Sequence, residues 1–384
     1  MVAEAKIPMM HNLPVSAYTS QKWFDLEQKH IFSTTWQFLG FIEEFKKPGN
    51  YMCLDIGYNS FLVVMDNNYE VKAFHNYCST CKTPILKNFG RLGKYIYCPT
   101  KNVTYDLEGN STNANFPSLT IASIGVFKGM YFIHPNPNED INDFFGEVLP
   151  YLGPHKVEKL VEYSKPEEIY VKEVNCNWKI IVENYIDQYH LAHLHSGTLN
   201  MYQHDKAEFG WVGPHYWFYE PLEEEYHEKL DSVSEYPLID SVPKEAIGGY
   251  VPWLFPNIGL SEEENSWTAF HVTPISPSKT LVTLRSKLMN LPTKEFTKQA
   301  NKSYAEEEFW NRRIFPKYEA HFEGDPMATA DFMEEDVYVC EQQQKSLQSP
   351  KFSVGAQAEK GEFAVAKFQQ VVKEWIEKQR TLPK

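Results

Sequence analysis

Hydrophobic and polar positions follow two different periods along this chain, and the change of period divides it. Residues 19–36 (TSQKWFDLEQKHIFSTTW) follow a Thr or Ser cap with helical spacing, placing Phe24, Leu26 and Ile31 on one stripe. From Gln37 to about Pro150 the pattern shortens to β-branched and aromatic runs, as in SFLVVM at 60–65, KYIYC at 94–98, VTYD at 103–106 and GMYFIH at 129–134. Turn residues separate these runs, which predicts a small all-β domain. Residues 167–174 and 268–288 predict strands of a second sheet, the latter a hairpin, and helical patterns cover 176–193, 294–312, 329–348 and 358–380. The class expected is α+β. Its parts are an N-terminal helical segment (1–36) packing on the last domain, a β domain (37–150) and a larger domain (151–384) with an antiparallel sheet flanked by helices.

Length and charge narrow the function classes. At 384 residues the chain can bury a large core and form more than one structural unit. A formal net charge of −14 excludes nucleic acid as the expected partner, since phosphate binding needs clustered Lys and Arg. No run of 18 apolar residues predicts a membrane span, and the opening residues lack a signal-peptide layout. Six scattered cysteines (53, 78, 81, 98, 176, 340) do not make a disulfide framework, so a cytoplasmic, reducing compartment is expected.

Three segments carry the chemistry. Residues 73–110 contain CSTC at 78–81 and CPTK at 98–101; residues 176–199 read CNWKIIVENYIDQYHLAHLHSGTL; residues 332–349 read FMEEDVYVCEQQQKSLQS. Within the second, His190 and His193 would share a helix face, whereas His190 and His195 would lie about 140° apart on an unbroken helix. Spacing alone leaves the two pairings equal. Pairing with His195 requires the helix to end near Ala192 or to be distorted, and Gly197 is compatible with a terminus there.

Taken together, these segments resemble the α subunits of Rieske-type non-haem iron ring-hydroxylating oxygenases, nearest to the branch acting on choline, carnitine and betaine. The resemblance runs from about Leu13 to about Glu377. It implies a Rieske-like β domain followed by a helix-grip catalytic domain. It also implies a mononuclear Fe(II) held by His190, His195 and Asp336, the 2-His-1-carboxylate triad that leaves positions open for O2. Asp187 is implied as the acidic residue that orients His190, and Glu341, Gln344 and Ser349 fit the family's late-helix spacing after Asp336.

The cluster half departs from the pattern. Rieske clusters take two thiolates and two imidazoles. Cys78 and Cys98 stand at the cysteine places, but Thr80 and Lys101 stand where the histidines belong, and neither offers an imidazole. The expectation drawn is a degenerate cluster site with no [2Fe–2S] cluster. The enzyme would then be a non-haem Fe(II) oxidase or oxygenase that uses O2 or peroxide on a small organic substrate, without a reductase partner. Two alternatives are a catalytically silent subunit partnering an intact oxygenase, and a non-redox enzyme with another metal at the triad. Cys78, Cys81 and Cys98 also form three quarters of a thiolate metal site, with Cys53 a conceivable fourth. The resemblance further implies a homotrimer, and a small-molecule substrate with O2. Trp211, Trp217, Trp253 and Phe255 are expected in the core, with an aromatic cage for a cation as the alternative.

Overall fold

The structure is a computed structural model that describes residues 12–162, 169–355 and 362–381. Residues 1–11 of the expected N-terminal segment, 167–168 of an expected strand and 358–361 of the expected last helix lie outside the described residues. The chain divides into two compact units, one of residues 25–147 and 375–384, the other of 1–24 and 148–374.

The first unit is built on nine strands: β1 (Gln37–Phe41), β2 (Asn50–Ile56), β3 (Asn59–Met65), β4 (Val71–His75), β5 (Phe89–Arg91), β6 (Tyr95–Cys98), β7 (Val103–Asp106), β8 (Ile121–Phe127) and β9 (Met130–His134). Seven of them form one antiparallel sheet in the order β1-β9-β8-β4-β3-β2-β5, and β6-β7 form a separate hairpin. β3 is buried almost throughout because it sits near the middle of the sheet, so it reads as a continuous apolar run rather than an alternation. One apolar cluster, with Leu62, Val64, Phe74, Ile96, Val103, Tyr105 and Leu119, closes around Cys78 and Cys98.

The second unit carries β10 (Leu160–Glu162), β11 (Tyr170–Val174), β12 (Glu208–Val212), β13 (His215–Pro221), β14 (Gly248–Tyr250), β15 (Trp253–Leu254), β16 (Ile258–Glu262), β17 (Trp267–Ser276) and β18 (Lys279–Met289). They form an antiparallel sheet in the order β10-β18-β17-β16-β14-β13-β12, with β11 paired to β18 and β15 joining β13 and β16. The expected hairpin at 268–288 is β17–β18. The helices that position the site are α1 (Trp178–Ile186), α2 (Leu191–Leu194) and α3 (Phe332–Leu347). Trp178, Ile180, Ile181, Val182 and Ile186 bury most of α1. Among the described residues, no helix is long and apolar enough to cross a membrane.

Two helical expectations change. The pattern at 176–193 is not one helix: α1 stops at Asp187, whose backbone is extended (φ −76°, ψ 117°), and one turn, α2, follows. The pattern at 294–312 breaks at Glu306 into helices Thr293–Ala305 and Glu307–Arg313.

Candidate metal centres

The break at Asp187 resolves the spacing of the two histidines. His190 stands immediately before the single turn α2 and His195 immediately after it, so both rings turn to the same side. Their centroids are 5.1 Å apart at 77°. His193, inside the turn, is exposed and packs its ring against Tyr189 (4.8 Å). A Cβ on Gly197 would lie 2.3 Å from the Phe315 carbonyl oxygen, so this position admits only glycine while the two strands of chain stay this close. The Phe315 amide donates to the Gly197 carbonyl oxygen (2.8 Å), which fixes the stretch that carries His195.

The third group comes from α3. The Asp331 carboxylate caps that helix by accepting from the Met333 and Glu334 amides. Further along, the Gln344 side-chain oxygen accepts from the Asn177 amide (2.8 Å), and Glu341 accepts from the Asn175 amide (2.9 Å). Asn177 is itself the cap of α1. The late-helix residues thus clamp α3 to the start of α1. Ser349 lies just past the helix, its hydroxyl accepting from the Lys351 amide.

These elements bring His190, His195 and Asp336 together, with one ligand atom of each lying within 4.8 Å of the others. Asp336 Oδ1 is 2.9 Å from His195 Nε2 and 3.7 Å from His190 Nε2. Two imidazoles and a carboxylate are the donors that non-haem Fe(II) takes, so the group fits a mononuclear iron. On the far side of the rings, Glu335 Oε2 lies 2.8 Å from His195 Nδ1, and Asp187 Oδ2 lies 3.5 Å from His190 Nδ1. Thr198 donates its hydroxyl to the same Glu335 oxygen (3.1 Å). Burial pushes the His195 imidazole down, but the Asp336 and Glu335 carboxylates outweigh it and hold the group above the ordinary histidine value. Sequence reasoning assigned Glu335 no role. Its only signal was a second acid beside Asp336.

The triad opens into a cavity of about 360 Å³ that Tyr185, Tyr202, Tyr216, Phe218 and Phe270 line together with Glu220 and Glu263. No Lys or Arg is among its described lining residues. Glu220 is buried and paired with His204 (2.8 Å). The tryptophans weighed for a cage lie elsewhere: Trp253 is fully buried in the core along with Phe255, Trp217 stacks on Tyr151 and Trp211 packs on Tyr216.

In the β unit, the thiols of Cys78, Cys81 and Cys98 also fall within 4.8 Å of one another. Burial raises the Cys78 thiol, but the Tyr105 hydroxyl and the amides of Cys81 and Thr80 outweigh it and bring the group down to about 6. Cys53 is raised to about 11 by burial and by Asp55.

The comparisons with known proteins fit this geometry. Residues 159–378 match the family described as "Ring hydroxylating alpha subunit (catalytic domain)", and residues 35–123 match the "Rieske [2Fe-2S] domain". The chain belongs to the ring-hydroxylating α-subunit family and is an oxidoreductase of the oxygenase class. It is 23% identical to the glycine betaine monooxygenase oxygenase subunit of Chromohalobacter salexigens, over 93% of this chain and 84% of that one. It is 23% identical to the carnitine monooxygenase oxygenase subunit of Acinetobacter pittii, over 70% and 73%. Among solved structures, it superposes on a quaternary ammonium Rieske monooxygenase with a TM-score of 0.70 at 20% identity, covering 97% of this chain and all of that one.

These findings correct the expectation of a cluster-free oxidase. The Rieske-domain match and the monooxygenase relatives point to a [2Fe–2S] cluster as well as a mononuclear iron. The silent-subunit and non-redox alternatives are set aside with it. A two-thiolate, two-imidazole set does not fit these residues, but the fold brings a third thiol, Cys81, to 3.6 Å from Cys98 Sγ.

Proposed function

We propose that the protein is a monooxygenase of small organic cations, with iron held by His190, His195 and Asp336. Convergence of those three ligand atoms beside an aromatic, acidic cavity is the observation that carries this reading. The iron would supply the redox chemistry that activates O2. The chain's own residues do the rest. Glu335 accepts the Nδ1 proton of His195 and so presents Nε2 to the metal, while the Asp187 carboxylate lies 3.5 Å from His190 Nδ1 without a hydrogen bond. Tyr185, Tyr202, Tyr216, Phe218 and Phe270 exclude water and offer ring faces to a cation. Glu263 adds a carboxylate to the lining, Glu220 being paired with His204, and no Lys or Arg in the described lining can pair a substrate carboxylate.

That asymmetry favours a choline-like ammonium alcohol over a zwitterion such as carnitine or glycine betaine. The relatives' names agree on a quaternary ammonium group and differ on the rest of the substrate. A homotrimer, electron delivery by a separate reductase and a cytoplasmic location belong to the same proposal. The test is substrate-dependent O2 uptake by the anaerobically purified, reduced protein across choline, carnitine, glycine betaine and a neutral isostere. Turnover of choline with formation of its oxidised product is expected; uptake limited to the neutral compound would overturn the cationic reading.

A further inference from the structure

The β unit contains two turns of the same construction. In Cys78–Lys82 the amides of Thr80 and Cys81 are directed at the Cys78 sulfur, and in Cys98–Asn102 the amides of Thr100 and Lys101 are directed at the Cys98 sulfur. Each turn closes on a residue with left-handed backbone, Lys82 (φ +58°) and Asn102 (φ +53°). Cys78 and Cys81 stand first and fourth in one turn and Cys98 stands first in the other. Their three sulfurs lie within 4.8 Å of one another, whereas Lys101, fourth in the second turn, is exposed.

The surroundings suit an inorganic centre. Cys78 and Cys98 are buried among Leu62, Phe74, Ile96 and Leu119, while Cys81 is half-buried. The Tyr105 hydroxyl lies 3.3 Å from Cys78 Sγ and 2.8 Å from the Ser79 hydroxyl, fixing the first turn against the β6–β7 hairpin. Amide and hydroxyl hydrogen bonds to sulfur stabilise thiolates and tune the iron–sulfur potential. Thr80, at the third position, stands where the family has an imidazole and contributes its amide rather than a side-chain ligand.

We propose that the iron–sulfur cluster of this domain is bound through three thiolates, Cys78, Cys81 and Cys98, with Cys81 in place of an imidazole. This goes beyond the two-cysteine, two-histidine pattern of Rieske domains and is independent of the substrate reading above. Replacing neutral imidazole by anionic thiolate lowers the reduction potential, because ligand charge stabilises the oxidised cluster.

The test uses the full chain, purified without oxygen, with iron, acid-labile sulfide and zinc measured together and nitrogen couplings read by pulsed EPR of the reduced cluster. Cluster iron matched by sulfide, without imidazole nitrogen coupling, is expected for the unaltered protein. Cys81→Ala should reduce sulfide content at least fivefold, Cys81→Ser should retain a cluster with a shifted spectrum, and Thr80→Ala should leave the spectrum unchanged. Full sulfide in Cys81→Ala, imidazole coupling in the unaltered protein, zinc without sulfide, or no metal at the thiols would each overturn the proposal. Circular dichroism of the Cys81 variants separates ligand loss from misfolding. None of these readouts depends on turnover, so failure here is distinguishable from failure of the catalytic reading.

Discussion

Glu335 holds the far nitrogen of His195: Oε2 lies 2.8 Å from Nδ1, and both side chains are 1% exposed. Asp336, the next residue on α3, meets the same ring at Nε2. One imidazole is therefore clasped between adjacent carboxylates of a single helix, one placed to orient it and the other to share a metal with it. Removing the orienting partner leaves a buried N–H unsatisfied and frees the ring to rotate. Glu335→Ala is expected to weaken Fe(II) binding by roughly 10–100-fold. Glu335→Gln, which keeps an acceptor oxygen, should lose less. Anaerobic Fe(II) titration of the two variants checks the order.

The cavity makes a separate prediction about charge. Glu263→Gln removes one of the two lining carboxylates not placed beside the triad. The KM for choline is expected to rise by about tenfold, equivalent to ~1.4 kcal/mol, while the KM for a neutral isostere stays within about twofold of its original value. Equal losses for both compounds would assign Glu263 to the scaffold.

Gly197 tests how firmly the histidine segment is fixed. Gly197→Ala forces a methyl group against the Phe315 carbonyl oxygen, where the clearance is 2.3 Å. Overpacking of this kind costs about 1–3 kcal/mol. The backbone shift that relieves it would move His195, so iron affinity should fall together with stability. A variant that unfolds earlier yet binds iron normally would uncouple the two.

A buried acid gives the protein a pH signature. Burial raises the Glu183 carboxyl to about 7, against opposing hydrogen bonds from Tyr18 and Gln369 and the nearby Lys179 charge. The folded state therefore holds this proton more tightly than the unfolded chain, whose value is about 4.5. Its contribution to stability is fully present below pH 4.5 and is lost as pH rises through about 7. Glu264, also raised to about 7 by burial, acts in the same direction. Glu183→Gln should flatten the urea-unfolding midpoint across that window relative to the unaltered protein, with Glu264→Gln flattening the remainder.

Much of the architecture was legible in the sequence because each element carried its own period. The run at 60–65 became β3, and the alternation at 268–288 became the β17–β18 hairpin. The histidine spacing called for a break or distortion, but its place at Asp187 was not legible, because the apolar pattern of α1 continues through Tyr189 and Leu191 with no glycine or proline to stop it. At the site, resemblance named His190, His195 and Asp336, yet the role of Glu335 depends on a ring lying between two consecutive residues, which no spacing rule encodes. The cavity's aromatic residues escaped notice because they come from α1, β13, β17 and the loop at Tyr202 rather than from one segment. Cys81 was legible in part. Its C-x-x-C spacing is visible and suggests a thiolate metal site, but only the fold shows that its sulfur comes to 3.6 Å from Cys98 Sγ.

The central claim is the mononuclear iron, and EPR of the Fe(II)–nitric oxide adduct tests it most directly because that high-spin signal is distinct from any iron–sulfur cluster. About one adduct per chain, with a line shape altered by choline, is expected for the unaltered protein and for His193→Ala, and none for His195→Ala or Asp336→Ala. An adduct that persists in the latter two variants, or none in the unaltered protein after Fe(II) is supplied, would contradict the account.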